Sequence, residues 1–124
     1  MAENVITGAN GAVYINIDEG LKRVINNGKL FAKLLTKFKT SNAGSLDEVL
    51  SFVAAGDYEK AKISIHTLKG IAANLALTEL YKQTVETEAQ IKAGALDPGT
   101  QESVKKCFAE TLVLLDEVVA KYGG

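Results

Sequence analysis

Apolar residues recur at three- and four-residue intervals along almost the whole chain, and no segment of useful length alternates with period two. That spacing puts one apolar stripe on each of several α-helices, and a helix with one such stripe must bury it against a neighbour. From Lys29 the stripe is Leu30, Phe31, Leu34, Leu35 and Phe38; it resumes as Leu46, Val49, Leu50 and Val53. Between them the polar residues 40–45, with Gly44, read equally as a break or as a kink in one long helix. The next stripes are Ala61, Ile65, Leu68, Ala72 and Leu75, then Leu80, Thr84, Val85 and Ile91. A last helix carries Val104, Cys107, Phe108, Leu112, Leu115, Val118, Val119 and Tyr122, and Gly123-Gly124 ends it.

Breaks fall at Asn26-Asn27-Gly28, at Gly56-Asp57 and at residues 94–99, where Asp97-Pro98 is a stop followed by a fresh start. Asp57 and Thr78 read as N-caps, and Ser45 with Glu48 as a capping box. Residues 18–24 form a short extra helix capped by Asp18. Residues 13–17 come closest to a strand but have no partner. The expected fold is all-α: an antiparallel four-helix bundle with a short extra N-terminal helix over residues 14–124, preceded by a flexible arm at 1–13.

A chain of 124 residues suits one domain. Its 14 basic and 15 acidic residues leave no excess charge to draw nucleic acid or an anionic membrane. Cys107 is the only cysteine and His66 the only histidine, which excludes an internal disulfide, a cysteine-built zinc site and any multi-histidine metal or haem site. No apolar run approaches the roughly 18 residues of a membrane span. The N-terminus carries Glu3 and no signal-peptide pattern. The expectation is a monomeric, cytoplasmic protein.

The helix that holds His66 is the informative one. At 100° per residue its apolar stripe occupies a sector of about 80°, and His66 lies about 140° from the stripe's centre. His66 therefore points outward. A lone outward histidine is most simply an incidental surface residue, but its neighbours are not those of a solvated face. Ile63, Gly70 and Ala73 share its sector, together with Lys69 one turn on. A mid-helix glycine costs about 1 kcal/mol relative to alanine. Close helix packing is the ordinary reason for one, yet this glycine lies opposite the core stripe. Bare backbone there lets another molecule approach His66, with Ile63 and Ala73 as a flat apolar surface. Lys69 is either helix decoration or a positive charge beside an anion carried by the imidazole.

On the following helix Leu77, Leu80, Thr84, Glu88 and Ile91 share one face, which sets a carboxylate in a core stripe. Glu88 either sits at the rim and reaches water, or accepts the Nδ1–H of His66. The second arrangement fixes the tautomer with Nε2 bare and outward, as a nucleophile requires.

The run His66-Thr67-Leu68-Lys69-Gly70-Ile71-Ala72-Ala73-Asn74-Leu75 closely resembles the active helix of histidine phosphotransfer (HPt) domains, whose core reads H-x-L-K-G followed by small residues. The likeness extends to residues 15–38, to Ala54-Ala55-Gly56-Asp57 before the histidine helix and to residues 77–88 after it; the last helix matches only in pattern. Ala76 departs from it, since many members have glycine there. The resemblance implies that His66 carries a phosphoryl group between receiver-domain aspartates, or takes it from a sensor or hybrid histidine kinase. It further implies charge support from Lys69, access at Gly70, an imidazole-orienting role for Glu88, and docking over Lys62, Ile63, Lys69, Gly70 and Ala73.

The sequence has no phosphate-binding glycine loop and no acidic cluster around His66 suited to Mg²⁺. The expectation is therefore a phosphocarrier without a cofactor of its own, which relies on Mg²⁺ held by the receiver. Two alternatives remain: a non-catalytic helical module that docks a receiver or partner helix, or the phosphotransfer domain of a larger chemotaxis-type kinase. A histidine-dependent hydrolase fits poorly, because no second acid, base or nucleophile converges on His66.

Overall fold

The computed structural model describes residues 4–123. Two short strands, β1 (Val5–Thr7) and β2 (Val13–Asn16), lead into a short helix α1 (Ile17–Arg23). Five further helices follow: α2 (Gly28–Asn42), α3 (Ser45–Ala54), α4 (Tyr58–Asn74), α5 (Thr78–Lys92) and α6 (Pro98–Tyr122). The helices pack as a bundle in which α4 lies between α3 and α5, and α6 closes the square against α5 and α2. Its core is made by the expected stripes. Phe31, Leu35 and Phe38 of α2, Leu46 and Val49 of α3, and Ala61, Ile65, Leu68 and Ala72 of α4 are all buried. So are Leu80 and Ile91 of α5 and Val104, Cys107, Leu115 and Val118 of α6. Phe38 meets Phe108 edge-on, with ring centroids 6.1 Å apart. Shortening Ile65 or Leu68 to alanine would cost about 2–5 kcal/mol, which fixes how α4 sits.

The breaks obey local chemistry where a side chain can satisfy its own helix. Asp57 accepts from Lys60 N at 3.1 Å and Asp97 from Gly99 N at 3.0 Å, with Pro98 in the first turn. Between α2 and α3 the chain hardly bends out of helical backbone: Ala43 has φ −57° and ψ −31°, and Gly44 φ −96° and ψ 3°.

Four local expectations fail, two of them because a partner from elsewhere in the fold takes the carboxylate. No capping box forms at Ser45. Ser45 Oγ donates to Asn42 at 3.0 Å, and the Glu48 carboxylate accepts from Ser64 Oγ of α4 at 3.1 Å. Thr78 is the first residue of α5, and Leu77 holds the cap position. Asn16, not Asp18, caps α1, and the Asp18 carboxylate accepts from Asn4 N at 2.8 Å instead. Val85 faces solvent rather than the core.

The largest correction concerns the N-terminal arm. Of residues 1–13, the first three lie outside the described residues, and β1 pairs antiparallel with β2: Val5 opposite Asn16, Ile6 opposite Ile15, Thr7 opposite Val13. The segment at residues 13–17 thus has a partner strand after all. Gly8 N donates to Ala12 O to close the hairpin, and Ala9 N donates to Glu110 Oε2 of α6 at 2.8 Å. Tyr14 and Ile15 are buried. A strand of three residues is too short to display a period, so its pairing is visible only in three dimensions.

α4 ends in a motif that explains the one departure at Ala76. Leu77 N donates to Ala72 O at 2.9 Å and Ala76 N to Ala73 O at 3.2 Å, the paired bonds of a Schellman ending. That geometry needs a left-handed residue, and Ala76 adopts φ +57°. Its carbonyl accepts from Asn16 N at 2.9 Å, so the strained turn also anchors β2.

Candidate functional site

With Ala61, Ile65, Leu68 and Ala72 directed into the bundle, the opposite face of α4 carries His66, whose side chain is 68% exposed. Ile63, one turn before it, is 65% exposed. Gly70, one turn after, is exposed as well, and a Cβ built on it would meet nothing within 4 Å. No packing requirement of this chain explains that glycine. Ala73 and Lys62 are half-buried at the margins of the same face. The docking residues expected from sequence therefore lie on one surface around the imidazole.

Glu88 does not reach water at the rim. Its side chain on α5 is 6% exposed, and its carboxylate accepts two hydrogen bonds from α4. His66 Nδ1 stands 2.8 Å from Oε2, and Lys69 Nζ 2.6 Å from Oε1. Burial pushes the carboxyl up, but the bonds from Lys69 and His66, with the charges of Lys69 and Lys92, outweigh it and hold the group below the ordinary 4.5. An ionised carboxylate has only acceptors, so Nδ1 carries the hydrogen of this bond. In the neutral ring Nε2 is then the bare nitrogen.

Lys69 is thus already engaged: its ammonium is bound to the carboxylate beside the ring. Two features escaped the sequence reading. Lys92, one helical turn beyond Glu88, places Nζ 4.0 Å from Oε2, and its spacing of four residues was the available signal. Tyr81 and Val85 add exposed apolar surface on α5, and Tyr81 shares a shallow groove with Ala73. Val85 lies about 100° around the helix from its neighbour Thr84, which takes it out of the core stripe despite its apolar side chain.

A cleft of about 330 Å³ opens beside the ring, lined by Lys62, Ile63, His66, Thr67, Glu88 and Lys92. A larger groove of about 550 Å³, between α2 and the end of α4, is lined by Leu34, Phe38 and Leu75 among others and includes none of these groups. Volume alone would misplace the site; the chemistry lies at the α4–α5 seam. Among the described residues no helix is long and apolar enough to cross a membrane.

No curated protein and no solved structure matches the chain. The family model of the Hpt domain matches residues 33–120, a span that runs from α2 through nearly all of α6 and contains His66, Lys69, Gly70 and Glu88. With more than two thirds of its length matched and a helical bundle as its fold, the chain belongs to the Hpt domains, the phosphocarriers of two-component signalling.

Proposed function

We propose that His66 is the residue that carries the phosphoryl group, taking it from the aspartyl phosphate of a receiver domain and passing it to a second receiver. The observation that carries this reading is the buried Glu88 carboxylate 2.8 Å from Nδ1 of an otherwise exposed ring. The Nε2 lone pair attacks phosphorus, the Nε2–P bond forms, and the P–O bond breaks with its electron pair left on the receiver's aspartate. The ring keeps its Nδ1 hydrogen and gains positive character, which the Glu88 carboxylate beside Nδ1 stabilises. Transfer onward is the same displacement in reverse. Mg²⁺ on the receiver neutralises the charge of the transferred group. A sensor or hybrid histidine kinase stands at the start of such a chain.

Lys69 supplies charge for the loaded state, and Gly70 leaves room for the receiver to reach Nε2. Ile63 and Ala73, with Lys62 at the edge, give the docking surface its apolar floor. The experiment is uptake of radiolabelled phosphate from an Mg²⁺-loaded, phosphorylated receiver. Wild-type protein acquires a label that is acid-labile and base-stable, as a phosphoramidate is. His66→Gln acquires none and stays folded, because the exposed ring adds little to the core, although loss of its bond to Glu88 costs about 1–3 kcal/mol. Label on the His66→Gln protein would move the phosphoryl group to another residue and overturn the assignment of His66, whereas wild-type protein that takes up none would leave a docking module without phosphoryl chemistry.

A further inference from the structure

Glu88 has more cations around it than two hydrogen bonds require. Lys69 occupies Oε1 and His66 Nδ1 occupies Oε2, yet Lys92 also stands 4.0 Å from Oε2. At that distance it makes a charge contact rather than a hydrogen bond. Its side chain is 58% exposed, and Glu88 is its only ion-pair partner among the described residues. Lys62, the other lysine on the cleft, is occupied by Glu59 at 3.4 Å. Lys92 is therefore the free cation nearest the carboxylate.

Its use lies in the loaded state, and the argument rests on the reading of His66 above. Nδ1 and Nε2 lie on diverging edges of the ring. A phosphoryl group on Nε2 sets close to two negative charges beyond the outer edge, away from Glu88. Lys69, on the same face of α4 one turn from His66, is the cation drawn toward it, and Oε1 then loses its charged donor. A buried carboxylate so stripped is costly and tends to take up a proton. Once protonated it accepts poorly from Nδ1–H, and the ring loses its orientation when orientation matters for onward transfer.

We propose that Lys92 is the standby counter-ion of Glu88, closing onto the carboxylate as phosphorylation of His66 draws Lys69 outward. Lys92 is a positioning residue of the loaded form. The exchange makes and breaks no covalent bond; two lysines change places at one carboxylate. A second role for Lys92 exists, since a cation in the last turn of α5 favours the helix dipole, but that role acts equally on the loaded and unloaded protein.

The difference between the two states is the test. Wild type, Lys92→Met and Lys92→Arg are treated with potassium phosphoramidate, which loses ammonia as the Nε2–P bond forms. The Nδ1–H of His66 is followed by proton–nitrogen NMR, and phosphohistidine by its phosphorus signal. Before treatment all three proteins show the Nδ1–H resonance, because Lys69 holds the carboxylate ionised in each. After it, wild type and Lys92→Arg keep the resonance, while Lys92→Met loses it to solvent exchange and its phosphorus signal decays about fivefold faster. Retention of the resonance in loaded Lys92→Met overturns the proposal, and so does its loss in both states alike. A wild-type protein with no phosphohistidine signal overturns instead the assignment of His66.

Discussion

The middle of α4 and its C-terminal end hold residues that ordinary helix chemistry would exchange. At Gly70 the backbone is helical and a Cβ would meet open space, so any side chain fits, yet the residue is glycine. At Ala76 the backbone is left-handed, with φ +57°, where glycine would be unstrained, yet the residue is alanine. Each choice destabilises by about 1 kcal/mol. Their surroundings separate them. Ala76 is 5% exposed, and the bonds of its turn, from Leu77 to Ala72 and from Asn16 to its own carbonyl, over-determine the strained conformation. Gly70 has no such internal compensation. It stands beside His66 where a Cβ would meet no other atom of the chain within 4 Å, and under the proposed function the reason for it is the approach of a partner. The left-handed alanine is supported from within the fold; the helical glycine is not, and under the proposed function it serves docking.

Substitutions in the two regions should therefore separate transfer from stability. Gly70→Gln should slow transfer from a receiver by about tenfold or more, because a side chain beside Nε2 spoils the approach geometry. The same protein should be more stable to urea by about 0.5 kcal/mol. Unchanged transfer in this variant would remove the distinction between the two positions. Lys69→Ala should slow transfer by about tenfold, since one charge-assisted bond is lost from the loaded state. Glu88→Ala should slow it less, by loosening the ring without removing its nitrogen; the opposite order would make Glu88 the dominant partner of the ring.

Ala76→Gly should leave transfer rates unaltered while raising stability by about 0.5–1 kcal/mol, the relief of a left-handed alanine less the entropy glycine adds to the unfolded chain. A loss of transfer there would mean that the end of α4 also shapes the docking face. The smallest effect is one of pH. The Glu88 carboxyl is held below 4.5 by Lys69, His66 and Lys92 against its burial, so its contribution to stability is complete above 4.5 and disappears as pH falls through the lowered value. In urea titrations, wild type minus Glu88→Gln should shrink over that acid range and stay flat above it.

Much of the site was legible before any coordinates, because it depends on angles around two helices. The 3.6-residue repeat alone turned His66 away from Ala61, Ile65, Leu68 and Ala72, and set Glu88 among Leu80, Thr84 and Ile91. The cap at Asp57 and the fresh start at Asp97-Pro98 were legible for the same reason: each aspartate satisfies a backbone amide two or three residues away.

Groups whose partners lie far along the chain could not be read this way. Glu48 has a suitable amide within its own helix but bonds Ser64 of α4, and Asp18 leaves the start of α1 for Asn4. Val5–Thr7 is too short to show any period, and only its neighbour Val13–Asn16 makes it a strand. Lys69 was placed one turn from the imidazole by its spacing, but which anion its flexible side chain would reach was open until α5 brought Glu88 within 2.6 Å. Local periodicity determines which way a side chain leaves its helix, because the backbone repeat is rigid over a few residues. Which partner it finds is decided by how the helices meet, because that depends on packing among residues scattered along the chain.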